Sequence, residues 1–400
     1  MKKTQILQVI LSFFLLLQIG CTEPFEIETI DFENVLVVEA TITNESRHQQ
    51  VKVSRTSTLE NPGGQVENNA EVWIEANNGD MYQFSQDPET GDYISNTVFA
   101  VEANVEYTLK INSSDGLNYT SEAVILPETV AIENVYPEVI TKDGVEGVQV
   151  FVDAFDATGN AKYFRYEYIE TYKIVAPNPT SFIAEIINYN SQSETFDVQL
   201  TPREPEIVCY STEFSTGIRQ TATNELDENR VERFPVRFLD KNNAVLRERY
   251  SILVKQFVQS VEAYTFYKII NELGNVESLL SQGQPGYVSG NITSVGNPNE
   301  KVLGFFEAAS VSMQRIYFNH EDLGLPVPPY FIDCNVIEID YNDNTTLDND
   351  PNEREILKTH IQYFDYQVIF AFHPNYLIVQ PECSLCTYFS SNVRPDFWED

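Results

Sequence analysis

Val35-Leu36-Val37-Val38-Glu39-Ala40-Thr41-Ile42-Thr43 is the stretch that decides the fold class. Six of its nine side chains branch at Cβ, which stiffens χ1 and favours extended backbone. It stops at Asn44-Glu45-Ser46, residues whose short polar side chains favour turns. The same unit then recurs down the chain. Residues 50–54 (QVKVS) alternate apolar and polar. Asn61-Pro62-Gly63-Gly64 leads into 70–76 (AEVWIEA), Asn77-Asn78-Gly79-Asp80 into 82–85, and 87–92 into 93–95. Residues 107–111 (YTLKI) alternate again, and 113–117 turn into 119–124. Short strands about 8–12 residues apart, with turn signals between them, predict a β-sandwich. That first domain is placed at 31–127, with a boundary at Pro127-Glu128.

Beyond the boundary the β character continues, so the chain is expected to be mainly β. Strands are predicted at 148–154, 163–176, 236–239 and 250–257. Residues 177–205 hold Pro177, Pro179, Pro202 and Pro205 and read as irregular. Residues 260–281 differ. Val261, Tyr264, Tyr267, Lys268, Ile269, Leu273, Val276 and Leu280 recur mostly at spacings of 3 and 4. This predicts an amphipathic helix with Ser260 as N-cap, possible division at Gly274, and an aromatic stripe packed on a sheet. Strands return at 302–308, 313–319, 336–341, 367–372 and 377–380. The second domain is therefore a larger β-rich unit, 128–400, with an inserted helix or helical hairpin near 260–281.

Upstream of the decisive stretch the chain reads as an export signal. Lys2 and Lys3 precede an apolar run over 6–19, and Gly20-Cys21 follows at once. Charge, apolar core and a small residue before a cut form a secretory signal peptide, 1–20. The run is shorter than the roughly 20 residues a spanning helix needs. Cys21 behind a small residue resembles the lipobox of bacterial lipoproteins, which implies a diacylglyceryl group on its thiol. Residues 21–30 then form a lipidated tether.

After the signal, 23 Lys and Arg face 60 Asp and Glu. Such a chain has no bulk attraction for nucleic acid or anionic lipid. The other four cysteines, Cys209, Cys334, Cys383 and Cys386, form an even set in an oxidising compartment and are disulfide candidates. Three pairings are open. Either Cys383 and Cys386 close on each other, or a crossed arrangement staples the C-terminal segment to the body.

No chemistry-bearing motif stands out. His48, His320, His360 and His373 fall in no two-histidine metal spacing. The chain lacks a G-x-S-x-G elbow, a P-loop and a G-x-G-x-x-G turn. Cys383-Ser384-Leu385-Cys386 is a C-x-x-C pair, but Thr387 stands where haem attachment needs His, and structural bridging is the simpler reading. Residues 340–353 (DYNDNTTLDNDPNE) are rich in oxygen ligands. Thr345 and Pro351 break the calcium-loop pattern, so a solvated acidic hairpin loop is expected. No catalytic residue, metal site or cofactor is assigned. A further hypothesis places Trp398 buried and Arg394 paired to a carboxylate, pinning the C-terminus on the body.

Several segments in order resemble one family. They are residues 36–43, Cys209-Tyr210, Arg249-Tyr250-Ser251-Ile252-Leu253-Val254-Lys255-Gln256, Ala263-Tyr264, Gln284-Pro285 and Gly290-Asn291-Ile292. Val302-Leu303-Gly304-Phe305-Phe306, Cys383-Ser384-Leu385-Cys386 and Asn392-Val393-Arg394-Pro395-Asp396-Phe397-Trp398 complete the set. The chain is similar to Bacteroidota outer-membrane lipoproteins known as a domain of unknown function and commonly encoded next to TonB-dependent receptors. The resemblance implies an N-terminal immunoglobulin-like sandwich, lipid attachment at the outer membrane in an undetermined leaflet, and a TonB-dependent receptor as partner. The expectation is a non-enzymatic accessory of such a receptor in substrate uptake, its ligand unnamed. The alternative is a structural or assembly component of an outer-membrane protein complex.

Overall fold

The computed structural model describes residues 34–56, 65–274, 288–342 and 352–400. The signal peptide, Cys21 and its tether, the turn at 61–64, the helix prediction beyond 274 and most of the acidic run at 340–353 lie outside these residues. Strands take 49% of the described residues and helices 10%, so the protein is mainly β, as expected.

The leading part holds β1 (Leu36–Thr43), β2 (Gln50–Arg55), β3 (Gln65–Val66), β4 (Glu71–Ala76), β5 (Met81–Gln86), β6 (Tyr93–Ser95), β7 (Glu106–Asn112), β8 (Asn118–Ser121) and β9 (Val124–Ile125). The larger part begins with β10 (Ile132–Lys142), β11 (Val145–Phe155), β12 (Tyr163–Val175), β13 (Phe182–Asn190) and β14 (Thr195–Pro202). Next come β15 (Val208–Phe214), β16 (Arg219–Ala222), β17 (Arg230–Asp240), β18 (Tyr250–Val258) and helix α1 (Val261–Gly274). The chain closes with β19 (Ile292–Ser294), β20 (Val302–Phe318), β21 (Ile337–Asp340), helix α2 (Glu353–Tyr363), β22 (Gln367–Phe372) and β23 (Asn375–Val379).

β20 organises the whole. Its first half, 302–309, pairs parallel with all of β1, and its second half, 310–318, pairs antiparallel with β18. The sequence reads here as two strands, 302–308 and 313–319. The structure makes them one, because Ala308, Ala309, Ser310 and Val311 are small or β-branched and stay buried across the junction. One sheet therefore runs β15-β12-β18-β20-β1-β2-β6-β5-β4-β7-β8-β19. Its far end returns to β20. Asn291, just before β19, gives and takes bonds at the Phe306 backbone, at 2.8 and 2.9 Å. Gly304 makes the crowding at this strand possible. Its φ is +107°, and a Cβ there would sit 1.8 Å from the Val38 carbonyl oxygen, far inside contact distance.

Alternation decides what each face does. In β1, Leu36, Val38, Ala40 and Ile42 point into a core shared with Val51, Val53, Ile74, Tyr107, Leu109 and Ile111. Ile292, Val302, Phe306 and Ala308 complete that core from far downstream. In the larger part, β10-β11-β17 forms a separate sheet. Val148, Val150 and Val152 on β11 share a core with Tyr166, Tyr168, Ile252 and Val254 on β12 and β18.

A third core stands apart. Residues 177–205, predicted irregular, contain the β13–β14 hairpin. The prolines flank it or end it, where no ladder donor is lost. Ala184, Ile186, Phe196 and Val198 of the hairpin pack with Ile339, Leu357, Ile361, Val368 and Ile378. These come from the sheet β21-β23-β22 and from α2. Helix α2 was not predicted, yet Asn352 caps it by accepting from the Glu355 backbone N–H at 2.8 Å. Asn-x-x-Glu ahead of Leu357 and Ile361 was a readable capping signal.

Both disulfides lie at the neck of this third unit. Cys209 bonds Cys386 and Cys334 bonds Cys383. This is the crossed pairing, not closure of Cys383 on Cys386. Backbone bonds Asn178 to Cys383 and Cys386 to Glu206 tie the same neck at 2.9 and 3.1 Å. We call the described residues of 177–207 and 335–382 the lobe.

Helix α1 keeps the predicted stripe in part, with Tyr264 on Tyr163 of β12 and Tyr267 on Phe305 of β20. Ser260 accepts from the Ala263 N–H at 3.1 Å, as its N-cap role requires. The buried side, however, is Ala263 and Phe266, while Val261 and Ile269 are exposed. Phe266 packs tilted against Phe305 at 5.1 Å between centroids, so the sheet beneath selects the face.

Candidate functional site

The outward face of β1 builds the floor of the main cleft. Val37, Glu39 and Thr41 alternate with the core residues and sit beside Leu303, Phe305 and Glu307 of β20 in register. Gln50 and Lys52 of β2 extend the floor. Phe266, Tyr267 and Ile270 of α1 form one wall; Arg165 and Glu167 of β12 with Ser215, Gly217 and Ile218 form the other. The cavity is about 700 Å³, within the range of small-molecule sites.

A buried ionic network lies under it. Glu307, 2% exposed, accepts from Arg165 Nη2 at 2.8 Å, Thr41 Oγ1 at 2.9 Å and Gln259 Nε2 at 2.8 Å. Arg165 also bonds Glu167 through Nη1. Its guanidinium lies 4.4 Å from the Phe257 ring centroid and 5.2 Å from that of Tyr267. Burial works against the Arg165 charge, but Glu307 and Glu167 outweigh it and hold its pKa above the ordinary value. Burial pushes the Tyr267 phenol up, and Glu307 adds to this, so Tyr267 stays neutral at any physiological pH. Arg165 Nε has no partner among the described residues.

The network therefore joins three strands of both halves at one carboxylate. Arg47, Lys52 and Arg165 face Glu39 and Glu167 around the cleft. This arrangement offers donors, acceptors and aromatic walls in one preformed concavity. A second buried carboxylate, Glu170, is satisfied by Arg237 at 3.0 Å and by the Tyr250 hydroxyl at 2.5 Å, and pins the body core instead.

The four histidines stay apart from each other and from the cleft. His48 contacts the Ser95 carbonyl, His320 that of Leu246 and His360 that of Ile356, while His373 rests on Tyr341. Among the described residues no group of three or more His, Cys, Asp or Glu is placed to hold a metal. The C-x-x-C pair is consumed by two different bridges, with Cys383 and Cys386 fully buried. Of the C-terminal hypothesis, Trp398 makes the contact with the body, while Arg394 finds its carboxylate inside the terminal segment itself. Trp398 is 4% exposed against Tyr210 and Tyr317, and Arg394 pairs with Asp400 at 2.8 Å. Cys21 lies outside the described residues.

Sequence reasoning did not find the cleft. Its lining comes from six separated segments, and only Tyr267 carried a signal, as part of the helical stripe.

Fold and site together define a mainly β, disulfide-braced protein with a preformed cleft where its two halves share a strand. Residues 22–315 match the family model described as Domain of unknown function (DUF4249), and the chain belongs to that family. The matched span takes in the whole cleft and Cys209 and ends before the other three bridging cysteines. No curated protein matches the chain.

Proposed function

We propose that the protein is a non-enzymatic lipoprotein of the cell envelope, anchored at the outer membrane through Cys21. In this reading it acts as accessory partner of a TonB-dependent receptor in substrate uptake. The seam cleft is the observation that supports the reading most. Its floor is ladder-paired strand and its buried Arg165–Glu307 pair is already made, so it is organised before any ligand arrives. Preorganisation of this kind lowers the ordering cost of binding. The finer kinship, with Bacteroidota lipoproteins carrying an immunoglobulin-like leading module, supplies the receptor as partner.

Purification of the lipidated protein from detergent-solubilised membranes tests the proposal. Recovery of a receptor-type β-barrel is the expected result; its absence from washed preparations sinks the receptor role. A structural or assembly role in an outer-membrane complex is favoured by one feature, the stapled lobe. A deletion strain separates the two. A growth defect confined to one nutrient supports uptake, and broad envelope defects support assembly.

A further inference from the structure

The lobe carries a surface that the cleft does not explain. Ten aromatic side chains of the described residues are strongly exposed, and six of them belong to the lobe, though it holds only about a fifth of those residues. Phe370 and Phe372, 51% and 72% exposed, stand two residues apart on β22. They therefore project from one face of the strand. β22 is the last strand of its sheet, with β23 on one side only. Thr180 and Arg203 bond the start of β22, at the Val368 carbonyl and the Gln367 side chain. From 369 to 372 no other strand among the described residues pairs with its outer edge. An open edge flanked by exposed aromatics is normally blunted by charge or covered.

Charge selects what covers it. The lobe carries eleven Asp and Glu against three Lys and Arg. A second copy would bring the same excess of negative charge to the contact, and an anionic membrane would be repelled likewise. The chain's own leading segment, 22–33, holds five acids and no base and fits no better. We propose that β22 docks an extended segment of a partner protein in which basic residues alternate with apolar ones. The segment adds as a strand to the open edge, its apolar side chains lie on Phe370 and Phe372, and its basic side chains answer the lobe's excess of acidic residues. The inference does not depend on the receptor reading. A lobe that binds such a segment while no receptor co-purifies leaves it standing.

Fluorescence anisotropy on the full mature protein tests it. The probe is a labelled peptide of about twelve residues alternating Lys or Arg with Val or Ile. Controls are the same peptide with Glu for its bases and with Ser for its apolar residues. The variant Phe370→Ser/Phe372→Ser keeps the charge and, since both rings are exposed, keeps the fold, which an unchanged melting temperature verifies. Binding of the basic apolar peptide is expected, weakened roughly tenfold by the double variant, by either control substitution and by raised salt. Equal binding by the double variant overturns the proposal. So does concentration-dependent dimerisation, or attachment to phosphatidylglycerol vesicles, that disappears with the two phenylalanines.

Discussion

Glu307 shows how one residue joins two halves. A carboxylate taken from water is costly unless every lone pair finds a donor, and Thr41 of β1, Arg165 of β12 and Gln259 just after β18 provide them. Removing one partner exposes that cost. Arg165→Met is expected to destabilise the protein by about 3–5 kcal/mol in denaturant unfolding, and Arg165→Met/Glu307→Leu to recover much of the loss. A smaller ionic pin sits in the leading part. Burial tends to raise the Glu67 pKa, but bonds from Arg55, at 2.6 Å, and Ser114 win and hold it below the ordinary 4.5. A depressed carboxylate contributes stability that is complete above its unfolded value and lost as pH falls through the folded one. Melting temperature should therefore drop as pH falls below the ordinary 4.5, and Glu67→Gln should flatten that slope.

At the scale of elements, strands were legible and their partners were not. Residues 35–43 declare a strand by β-branching, and the strand forms. Nothing local reveals that it pairs parallel with a segment more than 250 residues away. Helix α1 was legible in type but only partly in face, since Phe305 selects Phe266. Hairpin β13–β14 was obscured because prolines at its ends resemble a disordered stretch until their edge positions are known. The C-terminal segment behaves as an element without regular structure. Trp398 packs edge-on against Tyr210, and Phe397 lies 3.7 Å from the Arg315 guanidinium. Truncation after Val393 is expected to remove about 3–5 kcal/mol, the usual cost of losing a buried Trp, read as a lower melting temperature with strand content kept in circular dichroism.

At the scale of the molecule, the protein is two halves fused by one strand plus a lobe joined at a narrow neck. Shared strands make the halves cooperative; the lobe, with its own core, depends on its staples. Cys334→Ser/Cys383→Ser opens a loop of 49 residues, worth about 2–4 kcal/mol. Hydrogen exchange should then rise in 335–382 while β1, β18 and β20 keep their protection. Equal loss of protection everywhere would mean that the lobe is no separate unit.

The sequence by itself determined the mainly β class, the places of most strands and turns, the N-cap of α1, the even set of bridging cysteines and the family. These follow from neighbours within a few residues, where side-chain branching, turn chemistry and alternation act directly. The tertiary structure alone decided the fusion at β20, the crossed disulfides and the cleft. Each needs groups distant in sequence to meet, and the entropy of closing loops of different length differs too little to choose among pairings. What chooses is the fit of buried faces. It brings Cys209 and Cys386 to a Cα separation of 5.5 Å, Cys334 and Cys383 to 5.6 Å, and Glu307 to three donors at once.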